Sequence, residues 1–268
     1  MTHETPRSSG VAALRRRWDE DRVAEVRDQL VQQAKIARGP HRVASPWGAP
    51  DVVPVDLRGF PAGKDGLAVH YLTLEALDLS HMKGRLHVYQ SELVACTLDG
   101  VTLAVGSILG RRLERCSLVA ARMPKVRLAG TFVDCDFGGA SLRGATLGEN
   151  ATFERCSFDA TDLTDARFVG GRFVDCTFGT AVVSPLTSFE RCELRGGGPP
   201  VGALRLERCT VDGERVADRW DGQGGAEEIE DRYLADYVEA VEAGRAEDVP
   251  LEPESPRRST GRGGSGGR

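Results

Sequence analysis

Residues 130–180 read GTFVDCDFGGASLRGATLGENATFERCSFDATDLTDARFVGGRFVDCTFGT. A large apolar side chain returns at Phe132, Phe137, Leu142, Leu147, Phe153, Phe158, Leu163, Phe168, Phe173 and Phe178, always at a step of five except for the step of six from Leu147 to Phe153. Two positions before each stands a small residue: Gly130, Cys135, Ala140, Ala145, Ala151, Cys156, Thr161, Ala166, Gly171, Cys176. A period of five fits neither the 3.6 of a helix nor the 2 of a flat strand. It fits a strand that sends one large and one small side chain inward, turns a corner, and repeats.

The beat runs both ways from there. Upstream, Val88, Leu93, Leu98, Leu103, Ile108, Leu113, Leu118, Met123 and Leu128 keep a spacing of five, with a looser start at Val69, Leu74 and Leu79. Downstream it continues less regularly through Val183, Phe189, Leu194, Leu206 and Val211. A longer period is superposed: LERCSL (113–118), FVDCDF (132–137), FERCSF (153–158) and FVDCTF (173–178) recur once in every four of the short steps. Four fives therefore make one coil of a solenoid.

Thr161-Asp162-Leu163-Thr164-Asp165 and Cys156-Ser157-Phe158-Asp159-Ala160, with Ala140-Ser141-Leu142-Arg143-Gly144 and Ala145-Thr146-Leu147 beside them, resemble the unit of the pentapeptide-repeat proteins. The resemblance implies a mainly β fold: a right-handed four-sided parallel β-helix, here of about seven coils over residues 69–215. The upstream repeats depart from the family unit, with Val88, Leu93 and Ile108 at its central position. Fold alone does not assign function. Some members of the family are acidic rods that resemble duplex DNA and protect topoisomerases, so the resemblance offers DNA gyrase or topoisomerase IV as one partner and resistance to quinolones as one role.

All seven cysteines sit two positions before a large apolar residue, which places Cys96, Cys116, Cys135, Cys156 and Cys176 in a buried column beside a core ladder of Phe132, Phe137, Phe153, Phe158, Phe173 and Phe178. Their spacing is one coil rather than the short gap of a metal knuckle, so small packed thiols and reducing, cytoplasmic surroundings are expected. Cys192 and Cys209 follow at steps of 16 and 17, which predicts a change of face or distorted coils there.

The rest of the chain divides around the solenoid. Residues 1–45 hold a polar leader and one amphipathic helix over 11–37, with Leu14, Trp18, Val23, Val26 and Leu30 at helical spacing and Arg15, Arg16, Arg17 and Arg22 on a solvated face. The Pro-rich residues 46–68 read as an extended capping or linker segment, with a short entry strand through Val52, Val53, Val55, Leu57 and Phe60 as the alternative, and SHMKGR at 80–85 as a protruding loop. Ser184-Pro185-Leu186 and the Gly196–Pro200 run read as loops thrown out from the coil. Residues 216–248 read as an acidic helix whose Ile229, Tyr233, Leu234, Tyr237 and Val241 either cap the solenoid or pair in a homodimer, and 249–268 as a disordered tail.

Function follows mostly by exclusion. No basic-then-apolar leader is present and no apolar run is long enough to span a bilayer, so a soluble chain without membrane contact is expected. Residues 65–215 hold 17 basic and 19 acidic residues, which speaks against direct nucleic-acid binding. His70, His81 and His87 have no ligand spacing; no nucleophile with its base and no cofactor loop stands out. The expectation is a non-enzymatic interaction scaffold without metal or cofactor, binding an unidentified protein, with topoisomerase protection as the alternative.

Overall fold

The computed structural model describes residues 8–36, 41–47, 52–148 and 151–220. Ile229, Tyr233, Leu234, Tyr237 and Val241 lie outside the described residues, as does the tail.

The described chain is mainly β, a right-handed four-sided solenoid. Each wall is a parallel ladder. The first stacks Leu74, Leu93, Leu113, Phe132, Phe153, Phe173, Leu194 and Val211 in register. The fourth stacks Val69, Val88, Ile108, Leu128, Leu147, Phe168, Phe189 and Leu206. Between them, bridges through Asp78, Thr97, Ser117, Asp136, Ser157 and Thr177 define the second wall, and bridges through Thr102, Arg122, Ser141, Asp162 and Val182 the third. Two inward side chains from each wall, one small and one large, fill the axis, and nearly all are fully buried.

The solenoid has about eight turns rather than seven. The extra turn comes from the segment assigned to a linker. Val55–Asp56 pairs with Leu77 and Asp78, and Pro61–His70 pairs with the strand Lys83–Tyr89. Leu57, Phe60 and Ala62 are buried where the first coil needs them. The prolines obscure this turn in the sequence, because they occupy its corners and its bulged edge. The same pairing replaces the loop expected at 80–85: Met82 is fully buried, and the slip in the beat is taken up by a register shift between Gly84 and Arg85 against the next coil.

Corner chemistry explains why so few residue types suffice. The second residue after the inward apolar one adopts positive φ on coil after coil, at Ala95, Arg115, Ala120, Lys125, Asp134, Arg155 and Asp165 among others. The one step of four, Leu128 to Phe132, needs more: Gly130 has φ 106°, and a Cβ there would collide with the carbonyl oxygen of Gly110.

The single helix expected over 11–37 is two. α1 (Ser8–Arg16) ends before Trp18, and α2 (Glu20–Gln33) starts from Asp19, whose carboxylate accepts the Arg22 N–H at 2.9 Å. The break lets Trp18 turn inward against Trp47 and Phe60, ring centroids 4.3 and 5.0 Å away, while its Nε1 donates to the Arg58 carbonyl. Val26 and Leu30 of α2 close the bottom of the core, and Arg27 donates to the carbonyls of Ala62 and Gly66 on the edge strand. Capping an open strand edge in this way blocks unwanted pairing. Arg15 and Arg17 also depart from the solvated face expected of them: Arg15 donates to the His81 carbonyl, and Arg17 grips Asp56 through two hydrogen bonds of 2.7 and 2.6 Å.

At the other end the final coil is short. Phe189 stacks on Leu206 and Leu194 on Val211, in each case across a shortened coil, so the Gly196–Pro200 run is a shortcut across one wall rather than an insertion. Two antiparallel strands, Glu214–Arg215 and Arg219–Trp220, then pair with the last rung.

Candidate interaction faces

Among the described residues the axis leaves nothing free for chemistry. Phe132, Phe153 and Phe173 stack on the first wall at 4.7 and 5.1 Å, and Phe137, Phe158 and Phe178 on the second at 4.9 and 5.1 Å. Upstream, where leucine and valine replace phenylalanine, an apolar cavity of about 10 Å³ remains among Leu30, Leu57, Leu74, Leu86 and Leu93. A space so small and so apolar stays dry.

Cys96, Cys116, Cys135, Cys156 and Cys176 line the corner between the first and second walls. Each thiol donates to a carbonyl of the rung beneath, as Cys116 does to Leu93 at 3.4 Å and Cys156 to Phe132 at 3.5 Å. Hydrogen bonding with the thiols of Cys135 and Cys96, then burial, pushes the Cys116 thiol up; Cys135 and Cys176 do the same to Cys156. Cys192 and Cys209 change corner, as their spacing predicts: they precede Leu194 and Val211 by two positions, in line with Ala151 and Gly171. All seven thiols are free and buried. Among the described residues no three His, Cys, Asp or Glu side chains converge as a metal site. His87 contacts the Ser107 hydroxyl at 3.1 Å, and His70 lies edge-on to Tyr89.

What remains is the outer surface, and there the walls differ in charge. The sequence cluster Arg111, Arg112, Arg115, Arg122, Lys125 and Arg127 is split by the winding. Arg112 and Arg115 lie on the first wall and its corner, where both contact Glu114; Arg155 binds Asp134 through two hydrogen bonds, and Arg172 and Arg195 reach Glu193. This wall is a ladder of paired charges, each pair worth little in water. Arg122 and Lys125 stand on the opposite, third wall.

The second wall has no cation from Asp78 to Thr180 apart from what its corners bring. Its outward positions are Asp78, Ser80, Thr97, Asp99, Ser117, Val119, Asp136, Gly138, Ser157, Asp159, Thr177 and Gly179. Four carboxylates stand on small neighbours that leave the surface flat. Asp99 accepts from the Ser117 hydroxyl at 2.5 Å and the Val119 N–H at 2.9 Å, which fixes its place across two rungs. A linear charge count over 65–215 hides this segregation; sorting the sequence by its period of five reveals it.

Residues 149–179 match the family model for pentapeptide repeats. The solenoid is built of pentapeptide repeats. No curated protein sequence matches the chain. Among solved structures, the chain is similar to HetL, a pentapeptide repeat protein involved in heterocyst differentiation regulation from the cyanobacterium Nostoc sp. strain PCC 7120, at 18% identity and a TM-score of 0.34. That likeness covers 57% of this chain and 65% of HetL, so the chain spans less than two thirds of the length of that structure. Full-length QnrB1, a plasmid-mediated fluoroquinolone resistance protein, matches at 14% identity and a TM-score of 0.30, over 62% of this chain and 89% of QnrB1. Among the described residues no helix is long and apolar enough to cross a membrane.

Proposed function

We propose that this pentapeptide-repeat chain is a non-enzymatic scaffold whose second wall docks a protein partner with a basic surface. The supporting observation is the set of Asp99, Asp136 and Asp159, in two adjacent columns of a flat wall whose own positions hold no lysine or arginine from Asp78 to Thr180; Asp78, at the end of this stretch, is paired with Arg58 of the first turn at 3.8 Å. Rungs about 4.8 Å apart give these carboxylates a rigid spacing, and electrostatic complementarity of this kind sets specificity and association rate more than affinity. The helical cap, the core and the closed last rung hold the wall without taking part in binding.

The second reading is protection of DNA gyrase or topoisomerase IV, as the family resemblance implies. The near-neutral charge of the coils speaks against it, yet the charge that a partner meets is that of one wall. A stretch of wall from Thr97 to Thr180 that bears carboxylates and no cation of its own favours this partner class over a nucleic acid.

Both readings are tested with Asp136→Ser and Asp159→Ser combined, since serine already occupies the position of Asp136 at Ser117 and Ser157 and that of Asp159 at Ser80 on other rungs. Immobilised wild type should retain a partner that the double variant releases and that moderate salt elutes. Identical retention by both proteins removes the second wall from the proposal. A gyrase supercoiling assay with a quinolone separates the two readings: rescue by wild type and its loss in the double variant selects topoisomerase protection, whereas no rescue at large molar excess discards it.

A further inference from the structure

The third wall carries a charge pattern that reverses along the solenoid axis. Its outward position before each inward residue runs Lys83, Thr102, Arg122, Ser141, Asp162, Val182 in register. The corner position three further on carries Lys125, then Gly144, then Asp165 on successive rungs, joined by hydrogen bonds from the Lys125 N–H to the Arg143 carbonyl and from the Gly144 N–H to the Thr164 carbonyl. Cations therefore occupy the rung at 122–125 and carboxylates the rung at 162–165, with the rung of Ser141, Arg143 and Gly144 between them.

Arg122 and Lys125 are exposed and make no ion pair among the described residues. Beyond the acidic rung the wall turns apolar, with Val182 at 53% and Leu186 at 44% exposure. An extended polyanion laid along the basic rung would run onto Asp162 and Asp165 two rungs further. A surface with the reverse order of charges would not, and the wall itself, turned end for end, has that order.

We infer that the third wall is the docking surface for a second copy of this chain, with the two solenoids antiparallel. A twofold axis along the strand direction at Ser141 carries each rung to the rung equally far on the other side and keeps positions along the strand. Arg122 then faces Asp162 of the other copy, Lys125 faces its Asp165, and both pairs occur twice. Val182 comes opposite the Thr102 rung. The central rung carries Arg143, 51% exposed on the axis, which leans toward Asp165 of its own chain at 3.9 Å and so away from its symmetry mate; Asp165 also accepts from the Ser184 hydroxyl at 2.8 Å, so it meets Lys125 of the other copy as a shared carboxylate. Five rungs are four strand spacings, about 19 Å, so the contact buries less than about 1,000 Å² in total, in the range of weak, transient association. The dimer is therefore weak and held mainly by charge.

Sedimentation equilibrium of the full chain tests this at two salt levels, chosen so that the Debye length is about 30 Å (0.01 M) and about 3 Å (1 M). Wild type should dimerise at high protein concentration in low salt and lose that association at least tenfold in high salt. Arg122→Asp with Lys125→Asp makes the wall acidic, and Asp162→Arg with Asp165→Lys makes it basic. Each of these variants alone should be monomeric, and a mixture of the two should form heterodimers. Thermal melts followed by circular dichroism confirm that both variants are folded. A wild type monomeric throughout, a dimer that survives either double substitution, or folded variants that fail to pair with each other would each overturn the inference. Dimerisation through residues 229–241 would give the second of these results.

Discussion

Phe153→Ala is the sharpest probe of the axial core. The ring is fully buried, stacked between Phe132 at 4.7 Å and Phe173 at 5.1 Å, and met edge-on by Phe158 at 5.4 Å and Phe137 at 6.3 Å. Truncating a buried phenylalanine costs about 3–5 kcal/mol, the upper part where the cavity cannot collapse. Parallel strands fixed by ladder hydrogen bonds above and below cannot close the gap, so about 5 kcal/mol is expected here. Phe178→Ala is the internal control: that ring has one stacked neighbour, Phe158 at 5.1 Å, and is 5% exposed. One aromatic pair fewer is worth about 0.5–1.5 kcal/mol, so Phe178→Ala should cost about 1 kcal/mol less. Urea unfolding followed by far-ultraviolet circular dichroism measures both. Because coils contact only their neighbours, Phe153→Ala should also broaden the transition by uncoupling the halves of the solenoid. A loss below about 2 kcal/mol for Phe153→Ala, or a greater loss for Phe178→Ala, would refute the stacked-core reasoning.

Partial burial raises the Asp56 carboxyl, but hydrogen bonds from Arg17 and Arg58 outweigh it and hold the group well below the usual carboxylate range. With the folded pKa lowered, its stabilisation is complete above the ordinary carboxylate value and is lost as pH falls through the folded value. Asp56→Asn should cost about 1 kcal/mol at neutral pH after solvent screening and flatten the acid limb of the stability profile. Tryptophan fluorescence should report it through Trp18 and Trp47, and an acid limb identical to wild type would refute the assignment. The thiols supply a second measurement. With all seven buried, a thiol-specific reagent should leave the native protein unmodified for many minutes and label all seven after denaturation, because access and not thiol acidity limits the reaction. Rapid native labelling of the column would contradict its placement.

The winding was legible in the sequence because its determinant is local: each inward pair lies within one short repeat, and five-residue spacing admits few alternatives. Cys192 and Cys209 even announced their change of corner through a shortened step. The first turn was legible only as a short entry strand through Val55, Leu57 and Phe60, not as a full coil. Leu57, Phe60 and Ala62 have no regular spacing, and only pairing with strands of the following coil makes Val55–Asp56 and Pro61–His70 part of the ladder. The break between α1 and α2 was hidden for a similar reason, since Trp18 fits a helical stripe and only its packing on Trp47 and Phe60 favours the turn. The candidate interaction walls required both levels. Asp99, Asp136 and Asp159 do not stand out along the chain, and become one surface once the register is known.

The antiparallel strands Glu214–Arg215 and Arg219–Trp220 on the final rung have a consequence for solubility. A parallel ladder can in principle be extended indefinitely by further molecules arriving end to end, as fibres grow. Here the donors and acceptors on those two walls of the terminal rung are already satisfied by a chain running the wrong way for propagation. Among the described residues, end-to-end growth is opposed at one tip by reversed strands and at the other by α2, which leaves the sides of the solenoid as its open faces.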